Sequence, residues 1–292
     1  MGSFFLPETA NDPLYERTRD GVEDYWIKGR DHIEMLWGRC EQFIDPDAKR
    51  KALSDFASVY WELQLAYALC AAGKALAPRG RMQYKRNRGP DLFAEGPSVW
   101  LEAIVPRPGN GPDALPYPEL REIYSYYPDA VVLRLRSAIK DKSEKISNYI
   151  EAGIIKPDQA IIVAISSVLF PVRNTGLCPP EIVKALYPVS HRVLEVERAT
   201  GVVRNSHYEY RNVIKKDRGA CVATDVFRDS RFAHVSAVLF DETHWVNPGY
   251  IPGADFVMVH NSCATTPLPD GWFPRGREYW WRTGDELKCK QH

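Results

Sequence analysis

The segment "QAIIVAISS", residues 159–167, constrains the fold of this chain more than any other. Its run of branched apolar side chains shows no polar alternation, which is typical of a strand buried on both faces. A strand of this kind needs a layer of structure above and below it. We therefore expect an α/β protein in which helices flank a mixed central sheet.

Helical periodicity precedes this strand in three places. The spacing of apolar residues predicts a helix over about 19–44, a second over about 48–73 and a third over about 135–152. Between the second and third helices we predict a strand at "RMQYKRN" and then a hairpin with a Gly-Pro turn in "DLFAEGPSVWLEAIV".

These patterns divide the chain into three parts. An N-terminal helical segment occupies 1–47, an α/β core occupies 48–170, and a strand-rich C-terminal extension, 171–292, is expected to pack on the core. In the extension, strands are predicted at "RFAHVSAVLF" and "ADFVMVH" and a short helix at "PPEIVKALY".

Composition narrows the class of protein. The chain has 292 residues, 45% of them hydrophobic, which allows a sizeable core, and it has no 18-residue apolar run that would predict a membrane span. No signal peptide is recognisable, so we expect a cytoplasmic protein.

The six cysteines are scattered without a CxxC pair, which argues against a zinc site. The formal net charge is zero, so a nucleic-acid partner would have to be held by local patches.

The predicted hairpin carries one carboxylate on each strand. Alternate side chains of a strand share a face, which places Glu102 between Trp100 and Ile104, where it must be paired, neutralised or bound to a cation. The turn can bring Asp91 back beside Glu102. Two converging carboxylates suit Mg²⁺ or Mn²⁺, although a salt bridge to a nearby arginine explains them equally well.

The third predicted helix carries a lysine on its apolar face. Leu135, Ile139, Ile146 and Tyr149 form the stripe, and Lys142 fills the gap in it. A lysine on a buried face is uncommon unless a carboxylate neutralises it. The alternative is that Lys142 extends along the helix surface into solvent.

The second predicted helix adds Glu62, on the flank of its apolar stripe. This glutamate could reach a second metal ion or meet solvent. The pattern alone slightly favours solvent.

Basic residues cluster before Asp91 and around the third helix. Such clusters suit a phosphate backbone, and a strand edge guarded by charges is the alternative. The phosphate contacts predicted on this basis are Arg81, Lys85, Arg86, Arg88, Arg136 and Lys145.

The order of these features resembles the PD-(D/E)xK nuclease superfamily, which has the restriction-endonuclease-like fold. "WELQLAYAL" is similar to the first helix of that family, with Glu62 in its glutamate position. "GPDLF" supplies Pro90 and Asp91, and "VWLEAI" supplies Glu102. "RLRSAIKDKSEKISNY" and "QAIIVAI" are similar to the next helix and strand, so the resemblance covers roughly 50–167.

This resemblance implies a restriction-endonuclease-like core and a metal site. Asp91, Glu102 and the backbone carbonyl of Ala103 would hold Mg²⁺ or Mn²⁺, with Glu62 near a second ion. The family's lysine, which positions or activates the attacking water and steadies the phosphate, would stand at 104, where this chain has Ile104. Lys142 is the residue that could replace it.

Two hypotheses follow. The first is a metal-dependent nuclease, a hydrolase that cleaves phosphodiester bonds in DNA or RNA, with Asp91, Glu102 and Lys142 as its catalytic residues. The second is a catalytically inactive, nuclease-like module that binds nucleic acid or a protein partner. The sequence leaves open which nucleic acid is bound and whether the chain forms a homodimer.

Overall fold

The structure, a computed structural model, describes residues 2–82, 89–111, 114–117, 127–171, 179–216, 219–249, 251–282 and 286–292. The helices of this part of the chain are α1 (Pro13–Asp20), α2 (Asp24–Cys40), α3 (Ala48–Ala52), α4 (Phe56–Ala71), α5 (Pro128–Glu151) and α6 (Glu181–Leu186). Its strands are β1 (Leu92–Ala94), β2 (Val99–Ile104), β3 (Ala160–Ser166), β4 (Val189–Val196), β5 (Val203–Tyr210), β6 (Val213–Lys215), β7 (Cys221–Ala223), β8 (Ala237–Asp241), β9 (Val257–His260), β10 (Arg277–Arg282) and β11 (Glu286–Gln291).

A mixed sheet lies at the centre of the described chain. Its seven strands follow the order β1-β2-β3-β8-β9-β10-β11. β2, β3 and β8 run parallel to one another, and β9 runs parallel to β10. The pairs β1–β2, β8–β9 and β10–β11 are antiparallel. The predicted α/β class, with helices flanking a mixed sheet, is confirmed.

The strand predicted from "QAIIVAISS" is the third strand of this sheet, and every residue of β3 is buried. Its side chains alternate between two apolar layers. Ile162 and Ala164 belong to the layer that contains α2 and α4, while Ile161 and Val163 belong to the layer that contains α5 and α6. The apolar run is uninterrupted because both faces of the strand are covered.

The C-terminal part of the chain completes the sheet. β8 pairs with β3 in parallel, and β9, β10 and β11 extend the sheet beyond it. The predicted boundary at residue 170 therefore does not coincide with an edge of the sheet. A strand as apolar as β3 needs partners at both edges, and the region after 170 supplies the second one.

Two helix boundaries differ from the prediction for a local reason. The helix predicted over 19–44 begins at Asp24, because Gly21 ends α1 and Val22 is 83% exposed. The helix predicted over 48–73 is divided into α3 and α4 by a turn whose Leu53 carbonyl accepts hydrogen bonds from the chain near residue 11.

Other predicted boundaries shift by several residues. The third helix begins at Pro128 rather than near 135, with proline in the first turn, where its missing N–H costs nothing. The segment "RFAHVSAVLF" becomes a strand only at β8, whereas β9 and α6 fall where they are predicted. The strand predicted at "RMQYKRN" falls mostly at 83–88, outside the described residues.

Within the described ranges, no helix combines the length and the apolar character that crossing a membrane requires.

Asp241 is a carboxyl group sealed in the interior at the end of β8. It is 0% exposed, and its Oδ1 accepts a hydrogen bond from the Thr243 hydroxyl at 2.7 Å. Its Oδ2 has no hydrogen-bond partner among the described residues. Burial raises the pKa of Asp241 from 3.8 to about 6, because the charged form loses its hydration.

We expect Asp241→Asn to stabilise the protein at about pH 8. The fold favours the protonated carboxyl, so the wild-type stability from this group is present below pH 3.8 and is lost as the pH rises through about 6. Over this pH range the group changes the free energy of unfolding of the wild type by about 3 kcal/mol. Urea unfolding at several pH values measures it, with the exposed Asp158→Asn as control. A variant no more stable than the wild type at pH 8 would contradict this account.

Candidate active site

Asp91 and Glu102 lie side by side across the β1–β2 hairpin. Leu92 pairs with Leu101 in the antiparallel register, so the residues one step outward, Asp91 and Glu102, face each other. The Oδ2 atom of Asp91 accepts a hydrogen bond from the backbone N–H of Ala103 at 2.7 Å. The structure thus brings together the two carboxylates that the sequence places on this hairpin.

Glu102 is completely buried, at 0% exposure, on the face of β2 that packs against α5. Its Oε1 accepts hydrogen bonds from two ammonium groups, Lys142 Nζ at 2.5 Å and Lys145 Nζ at 2.6 Å. Its Oε2 is buried and has no hydrogen-bond partner in the described part of the chain. One carboxylate oxygen is therefore shared by two cations while the other is unused.

The charges in this group influence one another strongly. Burial and the neighbouring Asp91 raise the pKa of Glu102, and Lys142 and Lys145 oppose that rise. Burial lowers the pKa of Lys145, but the attraction of the Glu102 carboxylate outweighs it, so the net shift is upward. Lys145 is accordingly held in its charged form.

Lys142 reaches Glu102 from the buried face of α5. The four apolar residues that form the stripe of α5 are all buried, and the Lys142 side chain within that stripe is 15% exposed. Its amine contacts a buried carboxylate, so the alternative of a lysine extended into solvent does not hold. Ile104, two residues along the same strand as Glu102, packs against the same apolar layer.

Glu62 is buried, and the slight preference of the pattern for solvent was wrong. It is 7% exposed, and its Oε1 accepts a hydrogen bond from Lys51 Nζ at 2.6 Å. Burial raises its pKa to about 7, Asp91 adds to that rise and Lys51 opposes it. Twelve of the sixteen residues of α4 are buried, so this helix has no wide solvent flank.

The turn before β1 is held in place by two side chains. Arg79 donates hydrogen bonds from Nη1 to the backbone carbonyls of Pro90, at 2.7 Å, and Asp91, at 3.1 Å. The Tyr149 hydroxyl donates to the Gly89 carbonyl at 3.1 Å. These contacts position Asp91, and sequence reasoning missed them, together with the role of Lys51. Tyr149 was visible only as a member of the apolar stripe.

The residues predicted to contact phosphate lie in different environments. Arg81 is exposed, whereas Lys85, Arg86 and Arg88 lie outside the described residues. Arg136 is half-buried: it donates to the Ala223 carbonyl at 3.1 Å, and its guanidinium lies 4.9 Å from the centre of the Phe232 ring. These contacts of Arg136 are therefore with the protein itself, with the end of β7 and with the segment before β8.

The oxygen donors of the hairpin fit a hard divalent ion in their chemistry. No group of three or more His, Cys, Asp or Glu side chains in the described residues could hold a metal ion. However, a site made of two carboxylates and a backbone carbonyl does not require a third side chain. The Oε2 atom of Glu102, which has no hydrogen-bond partner among the described residues, is a ligand atom that an ion could bind without breaking a hydrogen bond.

Comparison with known proteins provides no relative for this chain. No protein-family model, no curated protein and no solved structure matches it.

We expect Lys51→Met to destabilise the protein, and to do so more at about pH 8.5 than at pH 5.5. At the higher pH the variant must bury the Glu62 carboxylate without its ammonium partner, whereas at the lower pH the carboxyl is protonated. Lys51 is 42% exposed, so the loss at high pH is about 1–2 kcal/mol rather than the larger cost of a fully buried pair. Urea unfolding at both pH values tests this. An equal loss at both would mean that Glu62 does not titrate in this range.

Proposed function

We propose that the protein is a metal-dependent nuclease that hydrolyses phosphodiester bonds of nucleic acid on a restriction-endonuclease-like core. The observation that carries the proposal is the 2.5 Å contact between Lys142 Nζ and Glu102 Oε1, beside Asp91 on the adjoining strand. An Asp, a Glu and a Lys thereby form one group although position 104 is isoleucine.

The order of the elements around this group supports the same proposal. α4 contributes Glu62, the β1–β2 hairpin contributes Asp91 and Glu102, and α5 then leads into β3, which pairs in parallel with β2. This is the sequence of elements that the resemblance implies, with the lysine supplied by α5 instead of β2.

Each residue has a role in the proposed reaction. Asp91, Glu102 and the carbonyl of Ala103 would hold Mg²⁺ or Mn²⁺, and Glu62 is the candidate for a second ion. Such an ion, when bound, assists deprotonation of water and offsets charge on the phosphate. Lys142 supplies a fixed positive charge beside the same phosphate, where negative charge grows as the nucleophile attacks.

Two partly exposed lysines, Lys51 and Lys145, border the buried carboxylates, and this basic rim supports nucleic acid as the substrate class. Lys51 and Lys145 are 42% and 46% exposed, so both amines can approach an anion from outside. Arg81, ten residues before Asp91 in the sequence, is also exposed. A polyanionic backbone is the ligand that such a rim favours.

One observation favours the alternative, a non-catalytic nuclease-like module. Glu62 and Glu102 are both paired with lysine, so neither carboxylate needs a metal ion to be tolerated in the interior. A module of this kind would bind nucleic acid or a protein partner through the same rim and would cleave nothing.

We expect Asp91→Asn, Glu102→Gln and Lys142→Met each to lower Mg²⁺-dependent cleavage of DNA or RNA by about 100-fold or more, because each removes a charge that acts on the ion or the phosphate. The matched control is Lys140→Met, on the same helix, whose amine pairs with Glu144 on the exposed side.

Cleavage of labelled oligonucleotides with and without EDTA measures the effect, and circular dichroism shows whether each variant is folded. Wild-type activity in folded Glu102→Gln would overturn the site assignment. Binding of oligonucleotides without cleavage by the wild type would instead support the non-catalytic module.

A further inference from the structure

The formal charges of the described side chains in the candidate site sum to zero. Asp91 and Glu102 carry two negative charges, and Lys142 and Lys145 carry two positive charges on the same side of β2. On the other side, Glu62 is matched by Lys51. A divalent ion that enters this group meets no net negative charge, so its binding is weak unless a cation leaves or an anion arrives with it.

The two lysines that share Glu102 differ in their freedom to leave. Lys142 is 15% exposed and lies within the apolar stripe of α5. Lys145 is 46% exposed, and its amine also lies 5.5 Å from the centre of the Tyr149 ring. The two are three residues apart on one helix, so their charges repel each other while both contact one oxygen. Lys145 is thus the cation that can move to solvent or to an incoming anion.

The carboxylate also has a free position for an ion. Because Oε2 has no partner among the described residues, an ion can bind there while Lys142 keeps its hydrogen bond to Oε1. The departure of one ammonium group, Lys145, is then sufficient to restore negative charge to the site.

We propose that Lys145 is an exchangeable counter-ion. In the ion-free protein it neutralises Glu102, and it transfers to a substrate phosphate when a divalent ion binds. Metal and nucleic acid consequently bind with positive cooperativity, because each favours the release of Lys145 from Glu102. This inference rests on the proposed function and gives Lys145 the role of a mobile phosphate contact, distinct from the fixed charge of Lys142.

The first test measures Mn²⁺ binding by calorimetry in the absence of nucleic acid. Lys145→Met removes the charge and keeps an unbranched side chain, and we expect it to bind Mn²⁺ at least about tenfold more tightly than the wild type. Lys145→Gln provides a second neutral variant. The control, Lys140→Met, removes a charge on the exposed side of the same helix and is expected to match the wild type.

The second test repeats the titration in the presence of a short phosphorothioate duplex, once as DNA and once as RNA. The duplex that binds is expected to increase the Mn²⁺ affinity of the wild type by about tenfold, and to increase that of Lys145→Met much less, because the lysine has already been removed.

The outcomes separate this inference from the proposed function. If the wild type and Lys145→Met bind Mn²⁺ equally and Glu102→Gln binds none, the metal site exists and the counter-ion role of Lys145 is wrong. If no variant binds Mn²⁺ with or without either duplex, the proposed function and this inference both fail.

Discussion

The interaction on which this structure depends is the sharing of one buried carboxylate oxygen by two lysines. Glu102 has no exposed surface, and a lone charge there would be too costly for the fold. The amines of Lys142 and Lys145 make it tolerable, and in doing so they connect the second strand to the long helix α5. Removing one partner of such a group leaves an uncompensated charge, so its members depend on one another.

The charged groups of the candidate site come from elements on both sides of the sheet. Glu102 faces α5, while Glu62 projects from α4, whose apolar residues cover the opposite face. Asp91 stands at the hairpin edge between them and raises the pKa of both. The strands of the C-terminal part bury β3 from its second edge and extend the apolar layers that keep water from these carboxylates. Low hydration makes these charges interact more strongly with one another than they would in water.

Local patterns predicted the parts of the site that depend on periodicity. Alternation along β2 placed Glu102 between Trp100 and Ile104, and the spacing of α5 placed Lys142 on its buried face. Glu62 and Arg136 could not be placed in this way. Whether a flank of α4 meets solvent depends on the N-terminal helices that pack against it, and the surroundings of Arg136 depend on a strand almost ninety residues away. Contacts between residues this far apart in the sequence cannot be inferred from the pattern within ten or twenty consecutive residues.

The amino-acid sequence by itself determined that this is an α/β protein with a strand buried on both faces. It also placed an acidic pair on one hairpin and a lysine on the apolar face of one helix, while leaving their partners open. Only the tertiary structure decided which cations meet which carboxylates, and that strands from the last third of the chain complete the sheet. The physical reason is that periodicity specifies the direction of a side chain along its own element, whereas pairing depends on how separate elements pack and on the desolvation that results.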